Sequence, residues 1–256
     1  MRPDPGKPYY TAYDKRYRVV YAQGVEHWTA HPEELAVVES DVRRFLSEAN
    51  VQPGARLIEF GCGEGFVGAL DAGMGYPYTG VDIAESAIEK ARTRLARFSD
   101  RVRLHVADIL NLSSFSSASF DAGLDVSCLH MLVVDADWQR YLREACRVLK
   151  PGAPMLFCRE SCRPDAPADL VESYEQWLRL SRTDVDTPEP RDAWCDGQPV
   201  TVRLPRIASR ARSQEQYRAE IEAAGFVFEG CLGGSESGFL SFRVRSRTRT
   251  WKVTLE

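Results

Sequence analysis

The chain reads as an α/β protein built on a mostly parallel sheet with helices on both faces. Strand-like apolar runs alternate with helix-like periods from residue 56 to residue 159, and the first run empties into a glycine-rich turn, Gly61-Cys62-Gly63-Glu64-Gly65. With 256 residues, 44% of them hydrophobic, there is enough material for one sizeable core with insertions.

Residues 1–34 read as an N-terminal cap. A proline-rich opening gives way to Tyr9, Tyr10, Tyr13, Tyr17, Tyr21 and Trp28, an aromatic density that belongs to a segment packed over something. These rings are either the core of a terminal helix or the cover of a pocket, and Tyr10, Tyr13 and Trp28 are the pocket-facing candidates. The main domain is expected over residues 35–256. Leu35, Val38, Val42, Phe45 and Leu46 recur at three- and four-residue spacings and predict a helix over 32–49, ended by Asn50 and Pro53. Strands follow at 56–60, 77–82, 102–107, 120–126 and 155–159, with helices at 65–72, 85–98 and 137–149. Residues 161–212 break the rhythm with six prolines around a predicted helix at 168–180, and form an insertion of the kind that shapes substrate pockets. A helix at 213–224, Gly225 and two apolar strands near 226–231 and 239–244 close the chain. The last two strands form an antiparallel pair and bring the sheet to seven strands.

Composition narrows the function. A formal charge of −4 disfavours a dedicated nucleic-acid binder, which needs a concentrated basic surface. No apolar run approaches the length of a membrane span, and the start lacks a signal-peptide core, so a cytoplasmic protein with a small-molecule partner is expected. Seven cysteines without a CxxC pair fit reduced thiols, and no metal is expected.

The glycines at 61, 63 and 65 let the chain turn sharply out of a buried strand and let a ligand lie against bare backbone. Asp82 lies 23 positions after Glu59 at the end of the second strand, where a carboxylate accepts both hydroxyls of a ribose. Asp108 and Ile109 end the third strand, placed to meet an adenine amino group and ring edge. Asp125 ends the fourth. The bland alternative makes these turn glycines and strand-end acids of some other α/β protein; four such pieces in register argue for a nucleoside cofactor.

Together with Leu149-Lys150-Pro151-Gly152, the run Glu59-x-Gly61-x-Gly63-x-Gly65, Asp82 and Ala107-Asp108 resembles the motifs of class I S-adenosylmethionine-dependent methyltransferases over roughly residues 35–160. The resemblance implies a Rossmann-like fold and S-adenosyl-L-methionine as cofactor. It places Gly61, Cys62 and Gly63 along the methionine portion, with Gly65 completing the turn, and Glu59 toward the ammonium through water. Asp82 with Ile83 would hold the ribose, Asp108 with Ile109 would face adenine, and Asp125 would sit near the methionine end. Tyr13 and Trp28 belong to a pattern similar to the aromatic cap of small-molecule members, where ring faces suit a sulfonium. A dinucleotide enzyme is the nearest rival, but its turn needs a small residue where Phe66 stands.

Methyl transfer is an in-line displacement that needs alignment and shelter more than a strong base. The expected reaction is transfer to an O, N or C nucleophile of a small molecule by a monomer or homodimer. His130 and Glu160, after the fourth and fifth strands, and Tyr174 in the insertion are the catalytic candidates. His130 is either a base or a packed turn histidine, and Tyr174 either closes the pocket or packs with Trp177. Two other outcomes stay open. One is another reaction of the sulfonium, cyclisation to azetidine-2-carboxylate or aminopropyl transfer, which releases methylthioadenosine; the other is a catalytically silent cofactor-binding partner protein.

Overall fold

Successive side chains of a strand point to opposite faces, and both faces of the central strands here are apolar. In the computed structural model, which describes residues 8–25, 32–185, 187–195, 198–233 and 238–247, Leu57 enters one buried cluster while Ile58 and Phe60 enter another. The elements run α1 (Pro8–Ala22), α2 (Pro32–Glu48), β1 (Leu57–Phe60), α3 (Phe66–Gly73), β2 (Tyr78–Asp82), α4 (Glu85–Arg94), β3 (Val102–Val106), β4 (Ala122–Val126), α5 (Asp135–Val148) and β5 (Pro154–Ser161). After these come α6 (Tyr174–Ser181), β6 (Glu189–Cys195), β7 (Gln198–Leu204), α7 (Gln214–Ala223), β8 (Phe226–Gly233) and β9 (Phe239–Ser246).

Seven strands form one sheet in the order β3-β2-β1-β4-β5-β9-β8; the first five are parallel, and β9 runs antiparallel to both β5 and β8. On one face α2 and α3 cover Leu57, Leu124 and Leu156 through Val38, Val42, Phe45 and Val67. On the other, Trp138, Tyr141 and Leu142 of α5 and Tyr217 and Ile221 of α7 cover Phe60, Met155, Phe157 and Phe242. The predicted seven-stranded, two-faced architecture is thereby observed.

Several boundaries depart from the sequence reading. The helix expected over 85–98 ends at Arg94 and tightens into a 3-10 turn at Ala96–Phe98, where the Phe98 N–H donates to the Leu95 carbonyl at 2.8 Å. The fourth strand starts at Ala122, because Phe120 pairs with Leu149 in an isolated bridge. The insertion helix starts at Tyr174 instead of 168. Ser173 caps it by accepting from the Gln176 N–H, and the residues before it are drawn out by Val171, which exchanges hydrogen bonds with Asp135.

The larger omission is the hairpin β6–β7, a separate two-stranded sheet inside the insertion. Its prolines read as loop. In a two-stranded ribbon every strand is an edge, so Pro190 and Pro199 fit it without breaking a central ladder. The hairpin packs on α1 through Val20, Val25, Ala193, Val202 and Leu204. Arg16 Nη1 donates to the Pro205 carbonyl at 2.7 Å, and Gln23 Nε2 to that of Arg203 at 3.1 Å.

Candidate functional site

At the carboxyl ends of the parallel strands lies a cleft of about 890 Å³, a volume suited to a nucleoside cofactor beside a small second molecule. Its floor is the glycine turn and the ends of β2 and β4. Its roof is α1 with the hairpin, which contributes the wall from Glu189 to Ala193.

The roof is held by tyrosine hydroxyls. Tyr10 donates to Asp137 Oδ2 at 2.7 Å, Tyr13 to the Met131 carbonyl at 2.7 Å and Tyr21 to Glu64 Oε1 at 2.9 Å. Asp14 accepts from the N–H and hydroxyl of Ser86 at the start of α4, at 2.9 and 2.7 Å. Tyr10, Tyr13 and Tyr17 recur at three- and four-residue spacings, so one face of α1 presents all three to the cleft.

Gly61 and Gly63 have φ of +69° and +49°, the left-handed region in which a side chain is strained. Space alone also selects glycine there: a Cβ on Gly61 would lie 2.3 Å from Cys128 Sγ, and one on Gly63 2.7 Å from the Tyr17 hydroxyl oxygen. Asp82 clamps the turn, accepting from the Gly63 N–H with one oxygen and the Ala84 N–H with the other, each at 2.8 Å. Burial pushes its carboxyl up to about 6 against those hydrogen bonds. Glu59 accepts the Tyr78 hydroxyl, and burial, joined by Asp71, Asp125 and Asp82, holds its carboxyl well above the usual range.

Glu59, Glu64, Asp82 and Asp108 therefore gather acid around the glycine turn. Such a set fits a cationic nucleoside such as S-adenosylmethionine, whose ammonium and sulfonium would relieve the repulsion, and it offers nothing to a pyrophosphate.

Beyond β4 and β5 the character changes. His130 lines the cleft, and its Nδ1 lies 2.8 Å from Glu160 Oε2, which also accepts the His130 backbone N–H at 2.9 Å. With Nδ1 engaged, Nε2 is the ring nitrogen left for a ligand. Burial holds the imidazole down to about 4 and pushes the Glu160 carboxyl up to about 7. Asp125 accepts the Tyr141 hydroxyl at 2.6 Å and the Cys128 N–H at 2.9 Å. Burial and the neighbouring Glu160 raise its carboxyl as well.

The cleft wall brings together Tyr13, Glu59, Gly61, Cys62, Gly63, Asp82, Ile83, Asp108, Ile109 and His130 of the residues singled out in the sequence. Asp125 and Glu160 are fully buried under that wall and act on it through Cys128 and His130. Gly65 lies off the wall, in front of α3, where a Cβ would lie 2.8 Å from Leu95 Cδ1 and 3.1 Å from Ala91 Cβ.

Tyr174 is not brought to the cleft: it stacks on Trp177, with ring centroids 5.5 Å apart, and packs against the core, the alternative its helical spacing offered. Trp28 and the side chain of Trp194 lie outside the described residues. The sequence reading counted Tyr17 among the cap aromatics but not among its pocket-facing candidates, although the three-four spacing with Tyr10 and Tyr13 signals it. It assigned no role to residues 189–193, whose approach to α1 no local pattern announces.

Residues 57–152 match a family model described as a methyltransferase domain. A ubiquinone biosynthesis O-methyltransferase of Xanthomonas campestris pv. campestris is 31% identical over 128 residues, covering 50% of this chain and 52% of the relative. The chain thus spans about half the length of that relative. An S-adenosyl-L-methionine-dependent Diels-Alderase, iccD of Talaromyces variabilis, is 29% identical over 238 residues, 86% of this chain and 72% of that protein. In fold, the chain resembles the Burkholderia thailandensis 1,6-didemethyltoxoflavin-N1-methyltransferase, solved with S-adenosylhomocysteine. The TM-score is 0.63 at 19% identity, over 96% of this chain and 92% of the other.

Proposed function

From a chain that belongs to the class I S-adenosylmethionine-dependent methyltransferase family, we propose methyl transfer to a proton-bearing nucleophile, such as a hydroxyl, of a small molecule. The observation that carries this reading is the Glu160–His130 pair at the end of the cleft away from Asp82, with Nδ1 and Oε2 at 2.8 Å.

Bound at the glycine turn, S-adenosylmethionine supplies an electrophilic methyl group. The rest falls to the chain. Asp82 holds the ribose hydroxyls, Asp108 and Ile109 meet the adenine, and the backbone of Gly61 to Gly63 follows the methionine portion. Glu59 and Glu64 compensate positive charge, and the tyrosines of α1 keep water from the cleft. Ionised Glu160 would accept a hydrogen bond from Nδ1–H of His130, displacing the Ser161 N–H that lies 3.3 Å from the same nitrogen, and this tautomer leaves the Nε2 lone pair to take the acceptor's proton. Asp125, bonded to Tyr141 and the Cys128 N–H, fixes the turn that carries the histidine.

The test is incubation of purified chain with S-adenosylmethionine and a panel of hydroxylated metabolites, with nucleoside products followed by mass spectrometry. Acceptor-dependent adenosylhomocysteine is expected, and Asp82→Ala should weaken cofactor affinity by about tenfold or more, two lost hydrogen bonds at ordinary strengths. Methylthioadenosine from cofactor alone would make the cofactor itself the substrate.

One observation favours a second reading. The Diels-Alderase relative aligns over 86% of this chain. On that reading the cofactor stays intact while the cleft folds a substrate for cycloaddition, and substrate would be consumed with no nucleoside product.

A further inference from the structure

Glu59, Glu64, Asp82 and Asp108 surround the glycine turn and Glu189 and Asp192 lie in the hairpin wall, while Arg159, paired with Glu34, stands near the end of β5 beside His130 and Glu160. Resting on the methyl-transfer reading, we infer that Arg159 binds an anionic group of the acceptor, so that the substrate is a hydroxylated carboxylic acid held with its hydroxyl at His130.

Backbone geometry aims Arg159. β5 slips register against β9 between Phe157 and Glu160, and Arg159 has φ +58°, a conformation rare for a residue with a side chain. The bulge is locked from both sides: the Arg159 N–H donates to Ser241 Oγ at 3.1 Å, and its carbonyl accepts from Ser127 Oγ at 3.2 Å. Ser127 is itself left-handed at φ +58°. Strained backbone at the ends of two adjacent strands turns this guanidinium into the cleft and away from the regular alternation of the sheet.

The guanidinium lies 4.6 Å over the Phe239 ring, and the His130 ring meets the same phenyl edge-on at 6.5 Å. Base and cation thus meet on one phenyl ring that itself lines the cleft. Arg159 is held at 15% side-chain exposure and paired at 2.9 Å with Glu34 of α2, whose own side chain is 38% exposed. Glu34 is free to swing into water, and an incoming carboxylate makes the same charge-assisted bond in its place. Arg191, by contrast, sits exposed against Glu189 in the hairpin, and Arg16 is committed to the Pro205 carbonyl.

The experiment uses the full chain saturated with S-adenosylhomocysteine and matched acid–amide pairs: salicylate with salicylamide, protocatechuate with its amide and para-coumarate with its amide. Calorimetry should show at least one acid binding about tenfold tighter than its amide, the size of one charge-assisted hydrogen bond. Arg159→Gln should erase that preference and leave adenosylhomocysteine affinity within about twofold. Glu34→Gln should tighten the acid several-fold and leave the amide unchanged, a gain that a merely structural role would not produce. No acid preference in any pair overturns the inference, as does a preference that survives Arg159→Gln. A loss of cofactor-product affinity in Arg159→Gln also overturns it, since that puts the arginine on the cofactor's carboxylate. Parallel incubations with S-adenosylmethionine separate the two levels. Acid preference without turnover keeps Arg159 as an anion site and defeats methyl transfer; equal turnover of acid and amide does the reverse.

Discussion

His130 combines two opposed influences, burial that keeps its ring neutral and a carboxyl neighbour that decides where its one proton sits. Burial pushes Glu160 up to about 7 against the hydrogen bonds it receives, that of the buried Asp125 carboxyl among them, so the Asp125–Glu160–His130 set changes state near neutrality. Above that pH the carboxylate accepts a hydrogen bond from Nδ1–H, and Nε2 carries the free lone pair. Below it the protonated carboxyl donates to Nδ1, and Nε2 carries hydrogen and cannot accept. The turnover rate should therefore rise with pH through an apparent value near 7 that belongs to the coupled pair. Glu160→Gln should flatten that limb, and His130→Gln should lower kcat by about a hundredfold or more while cofactor affinity stands. Stopped assays over a pH series check both; an unchanged limb in Glu160→Gln would reject the pairing. Asp82 and the glycine turn were readable in the sequence because a local motif carries them. The Glu160–His130 contact joins residues 30 apart through the ends of β4 and β5, so the sequence offered both names and no partnership.

Among the helices, α3 carries a buried carboxyl at odds with its surroundings. Both oxygens of Asp71 lack a hydrogen-bond partner among the described residues, and burial pushes the group up to about 8. Its folded-state value lies above the unfolded one, so its stability contribution is present below about 4 and is lost as pH rises through 8. Asp71→Asn should raise the melting temperature by about 2–4 °C, with the gap widening from pH 6 to pH 9, and a gap that narrows would refute the account. At α7 the capping box of Ser213 and Gln216 is reciprocal, so Ser213→Ala should cost about 1 kcal/mol in denaturant unfolding. The periods of α2, α5 and α7 were readable because each buries one stripe. The hairpin β6–β7 escaped because a ribbon that packs on α1 needs no long apolar run, and its prolines look like a loop.

Across the whole molecule, burial raises Asp82 to about 6, Glu160 to about 7 and Asp71 to about 8, and lifts Glu59 and Asp125 as well. Each is an acid whose folded value exceeds its unfolded one, so the ligand-free protein should lose stability as pH rises from 6 to 8.5. A cationic ligand favours the ionised acids of the cleft. The thermal shift produced by S-adenosylmethionine should accordingly grow over the same interval, and a shift that shrinks would show that these acids do not face the cofactor's charge. The parallel sheet with its antiparallel close was readable from alternation and the final apolar pair, though its strand order and the start of β4 were not. The cleft's second half was not, since it is assembled from β4, β5 and a roof drawn from α1 and the insertion.

That roof lies wholly outside the sheet: α1 precedes it in the chain, and the hairpin is spliced between β5 and α7. The two pieces grip each other through their own apolar cluster. A change in one piece must therefore be matched in the other, and α1 must also keep its bonds to Asp137, Met131, Glu64 and Ser86. Grafting α1 with its own hairpin onto a related sheet should carry acceptor choice with it. Grafting either piece alone would leave a severed interface and an open cleft.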